Sequence, residues 1–92
     1  MILGLEVMDF WSTVNTLRDQ LHRSVTRVAR PDAKLISITT SDLYIRSNYQ
    51  DFRRMQEVDL AIAADAEVTL PSLIEAVNRL TTGARRRVFA ER

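Results

Sequence analysis

Three short apolar runs set the limits on what this chain can fold into. They occupy residues 2–7 (Ile2, Leu3, Gly4, Leu5, Glu6, Val7), residues 34–40 (around Leu35, Ile36 and Ile38) and residues 58–64 (around Leu60, Ala61 and Ile62). Turn-forming residues bound them: Pro31-Asp32 precedes the second, Ser41-Asp42 follows it, and Asp65 ends the third. Their lengths and β-branched content mark strands rather than helix fragments. None alternates polar and apolar residues along its whole length, which suits strands covered on both faces.

Helical spacing fills the intervals. Val14, Leu17, Leu21, Val25 and Val28 follow steps of three and four, with Phe10 and Trp11 just ahead. This predicts a helix from about Asp9 or Ser12 to Leu21, fading beyond. Residues 24–30, rich in β-branched and charged side chains, read as a connection. Near the other end, Leu70, Leu73, Ile74, Val77 and Leu80 share one helical face. Thr69 is the expected N-cap, Pro71 sits in the first turn, and Gly83 closes the helix at C′. Residues 41–57 form an irregular connector containing Tyr44, Asn48, Tyr49 and Phe52, opened by a Ser41-Asp42 turn.

The order strand, helix, strand, connector, strand, helix predicts three parallel strands joined by right-handed crossovers. The expected class is therefore α/β: half of a Rossmann-like, doubly wound parallel sheet with covering helices. Three strands leave two open edges. The run 2–7 has the apolar character of an interior strand, so its unpaired edge invites another chain.

Composition narrows the function. At 92 residues the chain holds one domain at most, and 46% apolar with 27% charged residues is a globular balance rather than a disordered one. Thirteen Lys and Arg against twelve Asp and Glu give a net charge of +1, so no global field recruits nucleic acid or membrane. No apolar run reaches the length of a membrane span, and the first residues lack the basic region and cleavage site of a signal peptide. A soluble, cytoplasmic protein is expected. The chain has no cysteine, which removes disulfides, thiolate zinc sites and a cysteine nucleophile. His22 is the single histidine, and a Ser-His-Asp triad or multi-histidine metal site has little else to draw on.

The charges are nonetheless segregated. Residues 55–75 hold five acids (Glu57, Asp59, Asp65, Glu67, Glu75) and no base. Residues 76–92 hold five arginines (Arg79, Arg85, Arg86, Arg87, Arg92) against Glu91. The Arg85-Arg86-Arg87 run could contact nucleic acid or an anionic surface. It is short for such a tract and lacks interleaved aromatics, so cations on a solvated helix C-terminus account for it better.

Asp9, Ser41 and Asp65 fall at the carboxyl ends of the three strands, where open α/β sheets bind ligands. No glycine fingerprint accompanies them, and Asp and Ser cap helices and turns at such places anyway. Glu57, Asp59 and Asp65 do not converge as hard-oxygen metal ligands, because the last lies at the far end of the strand. His22 lacks an evident partner or pocket and reads as a surface or helix-end residue. Phe10 and Trp11 read as core or interface packing, and Tyr44, Tyr49 and Phe52 as anchors for the connector.

One family resemblance runs through these segments. The stretch Pro31-Asp32-Ala33-Lys34-Leu35-Ile36-Ser37-Ile38, then Ser47-Asn48-Tyr49-Gln50-Asp51-Phe52, then Val58-Asp59-Leu60-Ala61-Ile62-Ala63-Ala64-Asp65-Ala66, and finally Thr69-Leu70-Pro71-Ser72-Leu73-Ile74-Glu75-Ala76 resembles the central domain of thiamine-diphosphate-dependent enzymes. The acetolactate-synthase-like decarboxylases and carboligases are the most similar group, and Asp9-Phe10-Trp11 matches the style of some members. The likeness covers roughly residues 2–80 and the second half of that domain, so it implies that residues 1–92 are a partial central domain. Ala64 stands where the family usually has glycine. Thr39-Thr40-Ser41 replaces an acidic "D-x-D-P" segment, so no flavin or nucleotide site is carried over. The family's activating glutamate and its "G-D-G…N" motif belong to other domains. The resemblance therefore implies thiamine diphosphate and magnesium for an intact enzyme, but no catalytic, cofactor-binding or metal-binding residue in this chain. The partners it implies are the remaining domains or another subunit. A different reading is an independent α/β interaction module that completes its sheet by homo-oligomerisation.

Overall fold

The computed structural model describes residues 1–17, 21, 24–41 and 54–92. Strand β1 (Ile2–Leu5), helix α1 (Phe10–Val14), the short strands β2 (Asn15–Leu17) and β3 (Val25–Arg27), β4 (Leu35–Thr39), β5 (Leu60–Ala63), α2 (Ala66–Leu80) and α3 (Gly83–Ala90) follow in order. The three expected strands are present and form one parallel sheet in the order β1-β4-β5. The register sets Gly4 beside Ser37 and Ser37 beside Ala61. The chain is an α/β unit of the half-Rossmann kind.

β4 is the central strand, with Leu35, Ser37, Ile38 and Thr39 buried. Ile2, Gly4, Leu35, Ser37 and Thr39 share one face by strand alternation. Phe10, Val14 and Leu35 form the core cluster, with Ile2, Val7, Ala29 and Val58 packed against it. A Cβ at Gly4 would lie 2.2 Å from Phe10 Cε2, so the absent side chain is what lets the ring lie on the sheet. Ser37 and Ala61 continue this row of small residues. The Ser37 hydroxyl is buried without a hydrogen-bond partner among the described residues.

The expected long helix after β1 is not formed. α1 stops at Val14, because Asn15 is extended (φ −132°, ψ 157°) and its side-chain amide donates to the Trp11 carbonyl at 2.9 Å. An asparagine that competes for helical carbonyls in this way ends a helix early. Asn15–Leu17 then pairs antiparallel with Val25–Arg27, so the segment read as a connection contributes a strand. Leu21, Val25 and Val28 are exposed. Their three-and-four spacing had no buried face to serve.

The C-terminal helix also differs in its ends. α2 begins at Ala66 with Asp65 as N-cap, its carboxylate accepting from the Val68 N–H at 3.1 Å. Thr69 lies inside, its hydroxyl bonded to the Asp65 carbonyl. Pro71 is likewise interior, and its ring removes the bond to the Glu67 carbonyl. Gly83 does not close α2; it opens α3. Thr81 is extended, and the Thr82 hydroxyl accepts from the Arg85 N–H, so two threonines make the break. The arginine run therefore lies on α3, where Arg86 reaches back to the Asn78 carbonyl of α2 at 3.1 Å. That contact still neutralises a helix C-terminus.

α2 packs extensively on no other element among the described residues. The molecule is elongated, 51 × 29 × 16 Å, with a radius of gyration of 16.0 Å. A compact chain of this length has about 12 Å. Among the described residues, the sheet and its helical arm do not close into one globule.

Candidate functional site at the carboxyl end of the sheet

The carboxyl ends of the parallel strands gather Glu6, Asp9, Thr39, Thr40, Ser41 and Asp65. Glu6 organises them. Its N–H still pairs with the Ile38 carbonyl at 2.9 Å, extending the β1–β4 ladder by one residue. Its φ of 50° then turns the chain out of the sheet through the left-handed region, which an L-residue occupies only at a cost. The carboxylate spans three elements: Oε1 accepts from the Ala66 N–H at the start of α2 (3.1 Å). Oε2 accepts from the Thr39 hydroxyl (3.0 Å) and the Thr40 N–H (3.3 Å). Thr39, itself buried, accepts from the Ser41 N–H through the same oxygen.

The Ala66 N–H bond, with those of Thr39 and Thr40, holds the Glu6 carboxyl below its ordinary 4.5, against partial desolvation and the nearby Asp65 charge. Asp59 makes a second clamp at the opposite end of the sheet. It accepts from the Leu35 N–H and the Lys34 ammonium, both at 2.9 Å, and these lower its pKa.

The residues expected here take capping roles. Asp9 accepts from the Ser12 N–H at 3.1 Å and starts α1, while Asp65 starts α2. Ser41 follows β4 and bonds Thr39. Asp59 and Asp65 lie at opposite ends of β5, so the structure does not bring them together, and Glu57 precedes them in a segment without regular secondary structure. Among the described residues no group of three or more acidic or histidine side chains is placed to hold a metal. Phe10 and Trp11 are buried in the core, and the Arg54 guanidinium lies 5.1 Å from the Trp11 ring centroid. His22, Tyr44, Asn48, Tyr49 and Phe52 lie outside the described residues.

Sequence reasoning passed over Glu6, which reads as one more residue of the first run. The only local signal was an acid among apolar residues just before the strand's exit.

Chemically, this end of the sheet is an acid-filled junction. The start of α2, where an open α/β fold would hold a phosphate, already receives the Glu6 carboxylate. Asp9 and Asp65 add negative charge beside it. These residues do not fit the diphosphate of a thiamine cofactor. Comparison with protein-family models, curated proteins and solved structures gives no match for this chain.

The junction has a pH signature. A carboxyl whose folded pKa lies below its unfolded value stabilises the fold above the unfolded pKa, and this is lost as pH falls through the folded one. Glu6 and Asp59 both carry that sign. Thermal midpoints are expected to fall as pH drops below about 4.5. The fall should be shallower in Glu6→Gln and shallowest in Glu6→Gln/Asp59→Asn. Melting curves between neutral pH and pH 3 check this, and equal slopes in all three proteins would contradict it.

Proposed function

We propose that this chain is a non-catalytic structural half-domain, an α/β unit whose open sheet and helical arm are completed by further polypeptide. The observation that carries the reading is the unpacked apolar side of α2, where Ile74, Val77 and Leu80 are 58, 53 and 81% exposed. β1 and β5, each paired on one side only among the described residues, add to it. Exposed contiguous apolar surface with open strand edges marks an interaction site. The resemblance to the central domain of thiamine-diphosphate-dependent enzymes supports the same reading. It would make the completing polypeptide the remaining domains or another subunit of a decarboxylase or carboligase in the cytoplasm, with thiamine diphosphate and magnesium held there. Among the described residues, no helix is long and apolar enough to cross a membrane.

Calorimetric titration of the purified chain with thiamine diphosphate and Mg²⁺ tests the non-catalytic part. No heat of binding is expected, because Glu6 fills the start of α2. Saturable one-to-one binding would overturn it.

A second reading, a module that completes itself by oligomerisation, is favoured by the segregation of charge. Acids cluster in residues 55–75 and arginines in 76–92, so two copies can offer complementary surfaces.

A further inference from the structure

We propose that Glu6 is a latch: its carboxylate fixes the direction in which α2 leaves the sheet, and the arm swings free when that carboxylate is protonated or removed. The chain passes from β5 to α2 through Ala64 and Asp65 alone, and α2 packs extensively on no other element among the described residues. The Glu6 side chain ties the first residue of α2 to the far strand of the sheet. One oxygen accepts from the Ala66 N–H at 3.1 Å, while the other accepts from Thr39 and Thr40 at the end of β4. Ala66 is buried at this joint, whereas Ile74, Val77 and Leu80 further along are exposed. Held at its root and open along its length, α2 has the form of a lever.

The latch is under tension. Glu6 sits at φ 50°, in the left-handed region that costs an L-residue energy. Such a backbone persists only where its surroundings over-determine it, and here the three bonds of its own carboxylate do so. Opening them lets the backbone relax, so the strain and the arm are released together.

Charge sets the trigger. The three donors are neutral, and among the described residues no lysine or arginine bonds to Glu6. The charged groups at this end of the sheet are all acidic: Asp65 and Glu67 from the start of α2, and Asp9 from the start of α1. The strands β1, β4 and β5 bring none. The hydrogen bonds, that of Ala66 foremost, outweigh the Asp65 charge and hold the Glu6 carboxyl below 4.5. The latch is therefore closed at neutral pH and opens as pH falls through that lowered value. It would operate whichever polypeptide completes the sheet.

The absence of cysteine lets two spin labels be placed cleanly. Asp32→Cys, in the turn before β4, and Asn78→Cys, near the end of α2, are exposed positions. Double electron–electron resonance on the labelled chain, diluted into unlabelled chain, reads the distance from sheet to arm within one molecule. At neutral pH a single narrow distance is expected. Glu6→Ala, and the isosteric Glu6→Gln as the milder change, should lose it while Trp11 fluorescence and circular dichroism stay native. With Glu6 in place the narrow distance should be lost on acidification, and Asp65→Asn, which keeps an N-cap side chain, should move that midpoint to lower pH. A narrow distance that survives both Glu6 variants would overturn the latch, as would a broad one at neutral pH with Glu6 intact. A Trp11 shift accompanying the broadening in Glu6→Gln would do the same, because arm and core would then loosen as one unit.

Discussion

Gly4→Val is expected to be among the most damaging single substitutions, lowering stability by about 3 kcal/mol or more. The Cβ of any side chain at this position falls 2.2 Å from Phe10 Cε2 and 2.9 Å from Cδ2. Phe10 is 4% exposed in the core cluster, so its ring cannot swing aside without giving up its contacts with Val14 and Leu35. The chain's other glycine is an internal control. A Cβ at Gly83 meets nothing within 4 Å, and its φ is not positive, so Gly83→Ala should be neutral or slightly stabilising at the start of α3. Urea midpoints of the two variants decide the matter, and equal effects would contradict the packing described. Gly4→Ala should also be partly rescued by Phe10→Leu, which withdraws the ring edge; simple additivity would argue against contact.

Phe10→Ala is the second large effect, at about 3–5 kcal/mol. The ring lies against Gly4 and clusters with Val14 and Leu35, with Ile2 packed alongside. Among the described residues, the buried apolar core is Phe10, Trp11, Val14, Leu35, Ile38 and Ala66. A loss of this size is comparable with the whole stability of a small domain. Trp11 reports it directly. It is 8% exposed in the intact core, so its fluorescence should shift to the red when Phe10 is removed. Phe89→Ala, on the exposed helix α3, should change stability by less than about 0.5 kcal/mol. Similar losses at both positions would contradict the assignment of the core.

The strands were legible because short β-branched runs between turn residues are a local property. Each strand of the parallel sheet lies inside its expected run, shorter by two or three residues in all. The segment after β1 was not legible for an equally local reason. Its three-and-four spacing fits a helix, but Asn15 ends α1, and the pairing of Leu17 with Val25 joins residues eight apart, which spacing does not encode. The ends of α2 were misplaced because two capping patterns overlap. Asp65 and Thr69 both precede apolar residues, and the Asp65 carboxylate wins by reaching Val68. Thr81-Thr82 break the helix before Gly83 can close it. Glu6 was invisible in principle, since its partners lie 33 and 60 residues away in sequence. Asp9 and Asp65, whose roles are capping and local, could be read from sequence alone.

Sedimentation equilibrium of the purified chain over a wide concentration range, with melting curves on the same samples, tests directly whether the fold is completed by another copy. The mass is expected to rise above the 10.6 kDa of one chain, and the melting midpoint to rise with concentration as association stabilises the folded state. A constant 10.6 kDa with one sharp, concentration-independent transition would show that the fold is complete by itself, contradicting the account.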